Sequence, residues 1–307
     1  MLHKHYDKFK YMMNFYKRFK HSIISIVRRE IGIIVKQQLV NFQYRNYCRT
    51  TSDIGVNPNC EDIPVIVSLT TYGKRINDVA LTIESIFRQT IKANRIILWL
   101  DENEFTLETI PIILKTQIDR GLEIRFCENI KSYKKIIPTL RFMGNAHIIT
   151  VDDDIIYPEF MIESFLRKYR NNSKCVYFFE GRIVSKKSNG EYRAYSKWKI
   201  VDSYQPLDNV LPTGVGSVFY PEGCFDKRVT NSQLFMDLCP NADDIWLRFM
   251  TKLNGYPCSK VEMLGSFKEN FIEISGGQDI ALSKTNYFRN TNDKQLNNLV
   301  EYFQIQI

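Results

Sequence analysis

The run His147-Ile148-Ile149-Thr150-Val151-Asp152-Asp153-Asp154-Ile155-Ile156-Tyr157-Pro158 constrains this chain more than any other stretch. Its first part is uncharged and rich in β-branched residues, the pattern of a buried strand in a parallel sheet. It ends abruptly in three carboxylates. Pro158 then suits the first turn of a helix, where a missing N–H costs nothing. Strand, acidic turn and helix put the aspartates in the crevice at the carboxyl end of a sheet, where open α/β folds bind ligands. Successive residues of an extended chain point to opposite sides, so Asp152 and Asp154 share a side and Asp153 faces away. Two hard oxygen ligands on one side cannot cage a small divalent cation completely. They suit Mg²⁺ or Mn²⁺ held partly by the protein and partly by substrate phosphates. Standing alone, such a triplet would be read equally well as a solvated loop.

Around this run, strands alternate with helices. Residues 63–69, 95–100 and 122–127 read as strands, and 175–179 as another beyond the triplet. A helix follows Asn77 or Asp78 with Val79, Ile83, Ile86 and Phe87 on its inner face. Residues 107–120 form a second helix stopped by Gly121, residues 132–143 a third around Pro138, and residues 158–169 a fourth. Residues 182–198 read as a hairpin about Asn189-Gly190, and residues 199–212 as a loop. Residues 212–221 form a small-residue strand, where Gly214 and Gly216 let something approach the backbone or simply make a bulge. Asp243 and Asp244 open a helix that Gly255 closes; such aspartates cap a helix and favour its dipole, and one of them is free to act as a general base in the crevice. A terminal helix follows Asn292-Asp293. The alternation argues for a doubly wound, mostly parallel sheet with helices on both faces. The 307 residues suffice for one large domain with an appendage, or for two modest ones.

Charge separates the appendage from the body. Residues 1–50 hold 11 Lys and Arg against Asp7 and Glu30, a surplus of nine, while the remaining 31 Lys and Arg meet 32 Asp and Glu. The apolar positions Met12, Tyr16, Phe19, Ile23, Val27, Ile31 and Ile34 recur at helical spacing. Arg28-Arg29-Glu30 interrupts the apolar run, so it cannot span a bilayer. A basic amphipathic arm of this kind lies on an anionic membrane surface, packs on the body or on a second copy, or binds nucleic acid. Residues 46–62 read as a linker. The seven cysteines (Cys48, Cys60, Cys127, Cys175, Cys224, Cys239 and Cys258) form no Cys-x-x-Cys pair. With no secretory signal pattern they imply reduced thiols in a cytoplasmic protein. Of four histidines only His147 lies in the body, inside a strand, which argues against a His-based zinc site or triad.

These pieces together resemble bacterial glycosyltransferases of the GT-A type, in the broad family-two-like group that builds surface polysaccharides. The resemblance covers residues 63 to about 300 and rests on residues 67–72, 81–86 with Gln89-Thr90, 131–138, 151–158, 212–220 and 242–246. It implies a Rossmann-like GT-A domain over residues 61–307, with 61–158 binding a nucleotide-sugar and 159–307 the acceptor, behind an arm and linker at 1–60. It also implies donor contacts from Thr70, Tyr72, Arg75, Lys134 (or Lys135), Asp152 and Asp153, and a Mn²⁺ or Mg²⁺ ion on Asp152 and Asp154. In inverting members an acid at the start of a later helix deprotonates the acceptor, and Asp244 or Asp243 matches that place; a retaining enzyme needs no such base. The expected activity is sugar transfer from a nucleotide-diphosphate sugar to a glycan or lipid-linked acceptor, with the enzyme cytoplasmic, peripheral at the inner face of the plasma membrane through residues 1–45, and able to form a homodimer. Two other functions compete. A phosphohydrolase using an aspartyl nucleophile wants a hydroxyl residue where Ile156 stands. A non-enzymatic membrane or nucleic-acid scaffold would use the basic arm and leave the ordered motifs of the body unexplained.

Overall fold

The computed structural model describes residues 2–59, 61–274 and 291–307. A long helix, α1 (Leu2–Thr50), precedes β1 (Val65–Thr70), α2 (Val79–Phe87), β2 (Arg95–Asp101), α3 (Ile112–Ile118), β3 (Leu122–Cys127), α4 (Ile137–Phe142) and β4 (His147–Thr150). Then come β5 (Ile155–Ile156), α5 (Met161–Asn171), β6 (Val176–Phe178), β7 (Gly181–Ile183), β8 (Lys199–Ile200), β9 (Val210–Pro212) and β10 (Val218–Tyr220). The chain closes with α6 (Ser232–Leu238), α7 (Asp243–Leu253), β11 (Cys258–Lys260), α8 (Phe267–Asn270), β12 (Ile272–Glu273) and α9 (Thr291–Phe303).

Seven strands form the central sheet in the order β11-β6-β10-β4-β1-β2-β3. β1 pairs in parallel with β2 on one side and β4 on the other, β2 with β3 and β6 with β11 are parallel, and β10 alone runs antiparallel, between β4 and β6. The chain therefore winds outward through β1, β2 and β3 and then returns to lay β4 on the far side of β1. That reversal opens a crevice between the carboxyl ends of β1 and β4, the place where doubly wound sheets bind ligands. Ser68 is aligned with Thr150, so residues 70–72 and 152–154 leave the sheet side by side.

Period-two alternation along the strands feeds two cores. Val65, Val67, Leu69, Ile96, Leu98 and Ile149 pack beneath α2, α3 and α5, while Ile148, Val176, Phe178, Val218 and Tyr220 pack beneath α4, α6, α7 and α9. The α/β architecture with helices on both faces is as the alternation of patterns implies. Four local expectations are corrected. The helix expected over 107–120 starts only at Ile112, because Pro111 has no N–H to give a helix interior. The helix expected from Pro158 starts at Met161, since β5 pairs antiparallel with β12 and holds the preceding backbone extended. The hairpin about Asn189-Gly190 shrinks to a turn with one bridge, Lys186 to Tyr192; β7 pairs instead with β8 and β9, both drawn from the stretch expected to be a loop. Of the strand expected over 212–221, only residues 218–220 join the sheet, while residues 214–216 form a 3-10 turn.

The arm differs more. Residues 46–50, expected in the linker, continue α1, which at 49 residues is about 74 Å long. Its body-facing side is not the row expected from sequence. Ile33, Asn41, Tyr44 and Cys48 are buried, and α1 packs against α2, α3, α8 and β12. Asn41 donates to the Glu273 carbonyl at 3.1 Å, Arg45 pairs with Asp78 at 3.0 Å, and Arg88 stacks over the Tyr47 ring. Val27, Ile31 and Ile34 are exposed; Met12, Tyr16, Phe19 and Ile23 lie outside the described side chains, as does Cys60. No helix among the described residues is long and apolar enough to cross a membrane.

Candidate active site

A cavity of about 700 Å³ opens at the β1/β4 crevice, within the size range of small-molecule sites, roughly 300–1,000 Å³. Its walls include segments distant in sequence: the end of β1, the 3-10 turn before α4, the acidic triplet, the residue-214 turn and the start of α7.

At the end of β1, Thr70 donates to the Trp99 carbonyl at 2.8 Å, which ties it to β2, and Thr71 donates to Asp153 Oδ2 at 2.5 Å. Gly73, at φ +53°, gives its N–H to Glu104 at 2.6 Å, so the turn after Tyr72 is pinned by an acid on the cavity rim. Arg75 is buried. Its guanidinium pairs with Asp153 Oδ1 at 2.9 Å and with Asp154 Oδ2, and sits 5.6 Å from the centre of the Tyr72 ring. Both oxygens of Asp153 are thus engaged by the protein, and any hold it has on a ligand acts through Arg75 and Thr71.

Asp152 and Asp154 keep partial access to the cavity, with side chains 32% and 18% exposed. The Asp152 N–H donates to the buried Tyr157 hydroxyl at 2.8 Å, and the Asp154 carbonyl accepts from Ile274 at 2.8 Å, so the backbone of the triplet is held at both ends. Burial, and then the neighbouring Asp152 charge, lift the Asp154 carboxyl to about 7 against the pull of Arg75. Burial likewise raises Asp153 despite its Arg75 and Thr71 partners.

Lys135 joins the two halves. Its ammonium, nearly enclosed, lies 2.9 Å from Asp243, 3.5 Å from Asp152 and 3.8 Å from Asp244. Burial opposes its charge, but Asp243, Asp152 and Asp244 together outweigh that and hold it protonated well above the ordinary lysine range. Lys134, adjacent in sequence, turns its ammonium to Asp101 at 3.4 Å, with both side chains buried. Only Lys135 of the two reaches the triplet. Asp243 also accepts from Ser132 at 2.7 Å, and Asp244 accepts from the Gly214 N–H at 3.1 Å. Burial is the main cause that lifts Asp244 to about 7, with Lys135 opposing and Asp243 and Asp152 adding to the rise. Gly214 is where the close approach occurs: a Cβ there would meet Lys135 Nζ at 2.8 Å and Asp152 Oδ1 at 3.0 Å.

The donor set fits a divalent cation shared with a ligand. Asp152 and Asp154 offer hard oxygens with partial access to the cavity. Among the described residues no three acids, histidines or cysteines gather closely enough to hold a metal by themselves, so such an ion would take its remaining ligands from phosphate oxygens and water. Arg75 occupies one oxygen of Asp154 and leaves the other.

Beyond the residues singled out in the sequence, Glu104, Ser132, Glu180, Arg182 and Tyr195 line the cavity. Glu180 carried a legible signal, since it is a charged residue directly after a buried strand, as Asp152 is. Ser132, Arg182 and Tyr195 carried none; their positions depend on how the 3-10 turn and the β7–β9 sheet fold over the crevice.

No family model matches this sequence, and no curated protein matches it either. Among solved structures, the chain is similar to the mannosyltransferase PcManGT from Pyrobaculum calidifontis in complex with GDP-Man and Mn²⁺, at 14% identity over 78% of this chain and 67% of that one, with a TM-score of 0.40. It is similar to S. aureus TarS residues 1–349 in complex with UDP, at 12% identity over 80% and 73% of the two chains and a TM-score of 0.45. A second structure of S. aureus TarS residues 1–349 gives 15% identity, 79% and 72% coverage and a TM-score of 0.43. At TM-scores below 0.5 these likenesses carry no functional weight.

Proposed function

We propose that this chain is a GT-A type glycosyltransferase that moves a sugar from a nucleotide-diphosphate sugar to a glycan or lipid-linked acceptor in surface polysaccharide biosynthesis, with Mn²⁺ or Mg²⁺ as cofactor. The observation that carries the proposal is the ion cluster Asp152–Lys135–Asp244 at the switch point of the sheet. One side of it can hold a diphosphate and the other can take up a proton.

In this scheme the donor lies against residues 70–72 at the end of β1, with Arg75 fixing the orientation of Asp153 and Asp154. Asp152 and Asp154 would hold a divalent cation, which would supply positive charge toward the departing nucleoside diphosphate. Lys135 contributes a further fixed positive charge close to Asp152. In an inverting transfer the acceptor oxygen attacks the anomeric carbon, the bond from that carbon to the diphosphate oxygen breaks, and the acceptor proton passes to a base. Asp244 suits that base better than Asp243. Its carboxyl near 7 is matched to neutral pH, while Asp243 is engaged by Ser132 and at close range by Lys135. Glu180, Arg182 and Tyr195 would then face the acceptor. A lipid-linked acceptor would put the enzyme at the cytoplasmic face of a membrane, with the basic arm against it.

Calorimetric titration of UDP and GDP, each with and without Mn²⁺, tests the proposal. One of them should bind the wild type in a Mn²⁺-dependent way and lose at least about tenfold in affinity in Asp152→Ala. Binding that neither the metal nor Asp152 affects would refute the assignment.

A further inference from the structure

Of the 16 large hydrophobic side chains exposed in the described residues, seven lie on α1 between Ile24 and Phe42. Ile24, Val27, Ile31, Ile34, Val35, Leu39 and Phe42 recur mostly at steps of three and four, so they share one face of the helix. The face that docks on the body, through Ile33, Asn41, Tyr44 and Cys48, is the opposite one. A helix so built has two apolar sides, of which the fold covers one. Phe42, at the end of the bare row, is 75% exposed. Beside the helix, Leu264 stands 92% exposed on the loop before α8, across a groove lined by Arg29, Gly32, Ile33 and Lys36.

Charge decides what covers this face. Lys20, Arg28 and Arg49 fall on its side of the helix with no acid within 4 Å among the described residues, while Arg45, on the same side, pairs with Asp78 at 3.0 Å. Cations turned toward the body are engaged instead: Arg29 pairs with Glu269 at 3.8 Å, and Lys36 donates to the Glu269 carbonyl. A second copy presenting the same face would bring together two segments that each carry a surplus of nine positive charges. An anionic lipid surface would neutralise that surplus, while the unpaired side chains snorkel to its phosphates.

We propose that this face lies in the interfacial layer of an anionic membrane, with α1 along the bilayer surface. Because the inner side of α1 is built into the body, the membrane would hold the whole domain rather than a tethered arm. This deepens the proposed transfer to a lipid-linked acceptor and rests on that proposal only for what the membrane contact serves.

The test is sedimentation of the full chain with vesicles of phosphatidylglycerol and phosphatidylcholine, and with phosphatidylcholine alone. The double variant Ile31→Glu/Phe42→Glu is compared with Ile112→Glu, a residue equally exposed on α3. The wild type should bind the anionic vesicles, less so as salt rises. The double variant should bind at least about tenfold more weakly, and Ile112→Glu as the wild type does, with all three melting at the same temperature. Equal binding by the double variant, or no binding by the wild type, would overturn the proposal. So would a dimer in solution that the double variant breaks, since a second copy would then cover the face. Vesicle binding that depends on this row, in a protein that turns over no nucleotide-sugar, would count against the transfer reaction and leave the membrane contact standing.

Discussion

Lys135 is the one cation within 4 Å of Asp152, Asp243 and Asp244 among the described residues. Its removal should therefore act on stability and not on activity alone. Lys135→Met leaves three acids around an apolar side chain, and breaking a buried ion cluster from one side costs roughly 3 kcal/mol, the low end of the usual range because Asp152 and Asp244 are partly solvated. The sign of its pH dependence follows from Asp244. Folding raises that carboxyl from 3.8 to about 7, so the folded state holds a proton that the unfolded state releases between those values. The contribution of this group favours folding at acid pH and is lost as pH rises toward 7. Without Lys135 the penalty for ionising the cluster grows. The deficit of Lys135→Met relative to the wild type, measured by urea unfolding, should be largest near pH 8 and shrink by pH 5. A deficit that does not change with pH would mean that Lys135 contributes packing alone. In the sequence, Lys134 and Lys135 were equivalent, two adjacent basic residues before an apolar helix. What separates them is the 3-10 turn, which sends one ammonium to Asp101 and the other to the triplet.

At the scale of elements, α1 carries two apolar rows that its sequence pattern merged, one buried on the body and one exposed. Apolar residues occur on nearly every side of it between Ile23 and Val40, so spacing alone could not say which row meets the body. The row through Ile33, Tyr44 and Cys48 does so, and there Asn41 donates across the interface to the Glu273 carbonyl as well as to Gln37 of its own helix. Tyr44→Ala should cost about 3 kcal/mol, as large aromatic truncations in a core do. Ile34→Ala, on the bare face, should stay within about 0.5 kcal/mol of the wild type. Equal losses in urea unfolding would show both faces covered in the free protein. The same structure advises against separating the arm at residue 45, since that cut removes Ile33, Asn41 and Tyr44 from the core. Strands β1 to β4 and β6 of the central sheet were legible as short, largely apolar runs with turn residues at their ends, β10 only as part of a longer strand, and β11, Cys258–Lys260, not at all. Strands β7 to β9 were not. They are two or three residues long, their pairing is set by the crossing of distant segments, and the Asn189-Gly190 turn signal pointed to a longer ladder than forms.

At the scale of the whole molecule, the acidic triplet announced where the crevice would be, because three carboxylates after a buried strand have few other places to go. The composition of the crevice was less accessible. Asp152, Lys135 and Asp244 come together only because the chain winds outward to β3, returns across β1 to lay down β4, and then reaches α7 over the residue-214 turn. Gly214 marked that last approach in the sequence as a place for close contact, without naming the groups that meet there. The measurement that bears most directly on the central claim is release of nucleoside diphosphate from a panel of nucleotide-diphosphate sugars, with and without Mn²⁺, by the wild type and Asp154→Ala. Release from one donor that requires the metal, and that falls at least about a hundredfold in the variant, is the expected result. Turnover that Asp154→Ala leaves intact would contradict the account. So would turnover of no donor, together with no thermal shift by UDP or GDP plus Mn²⁺.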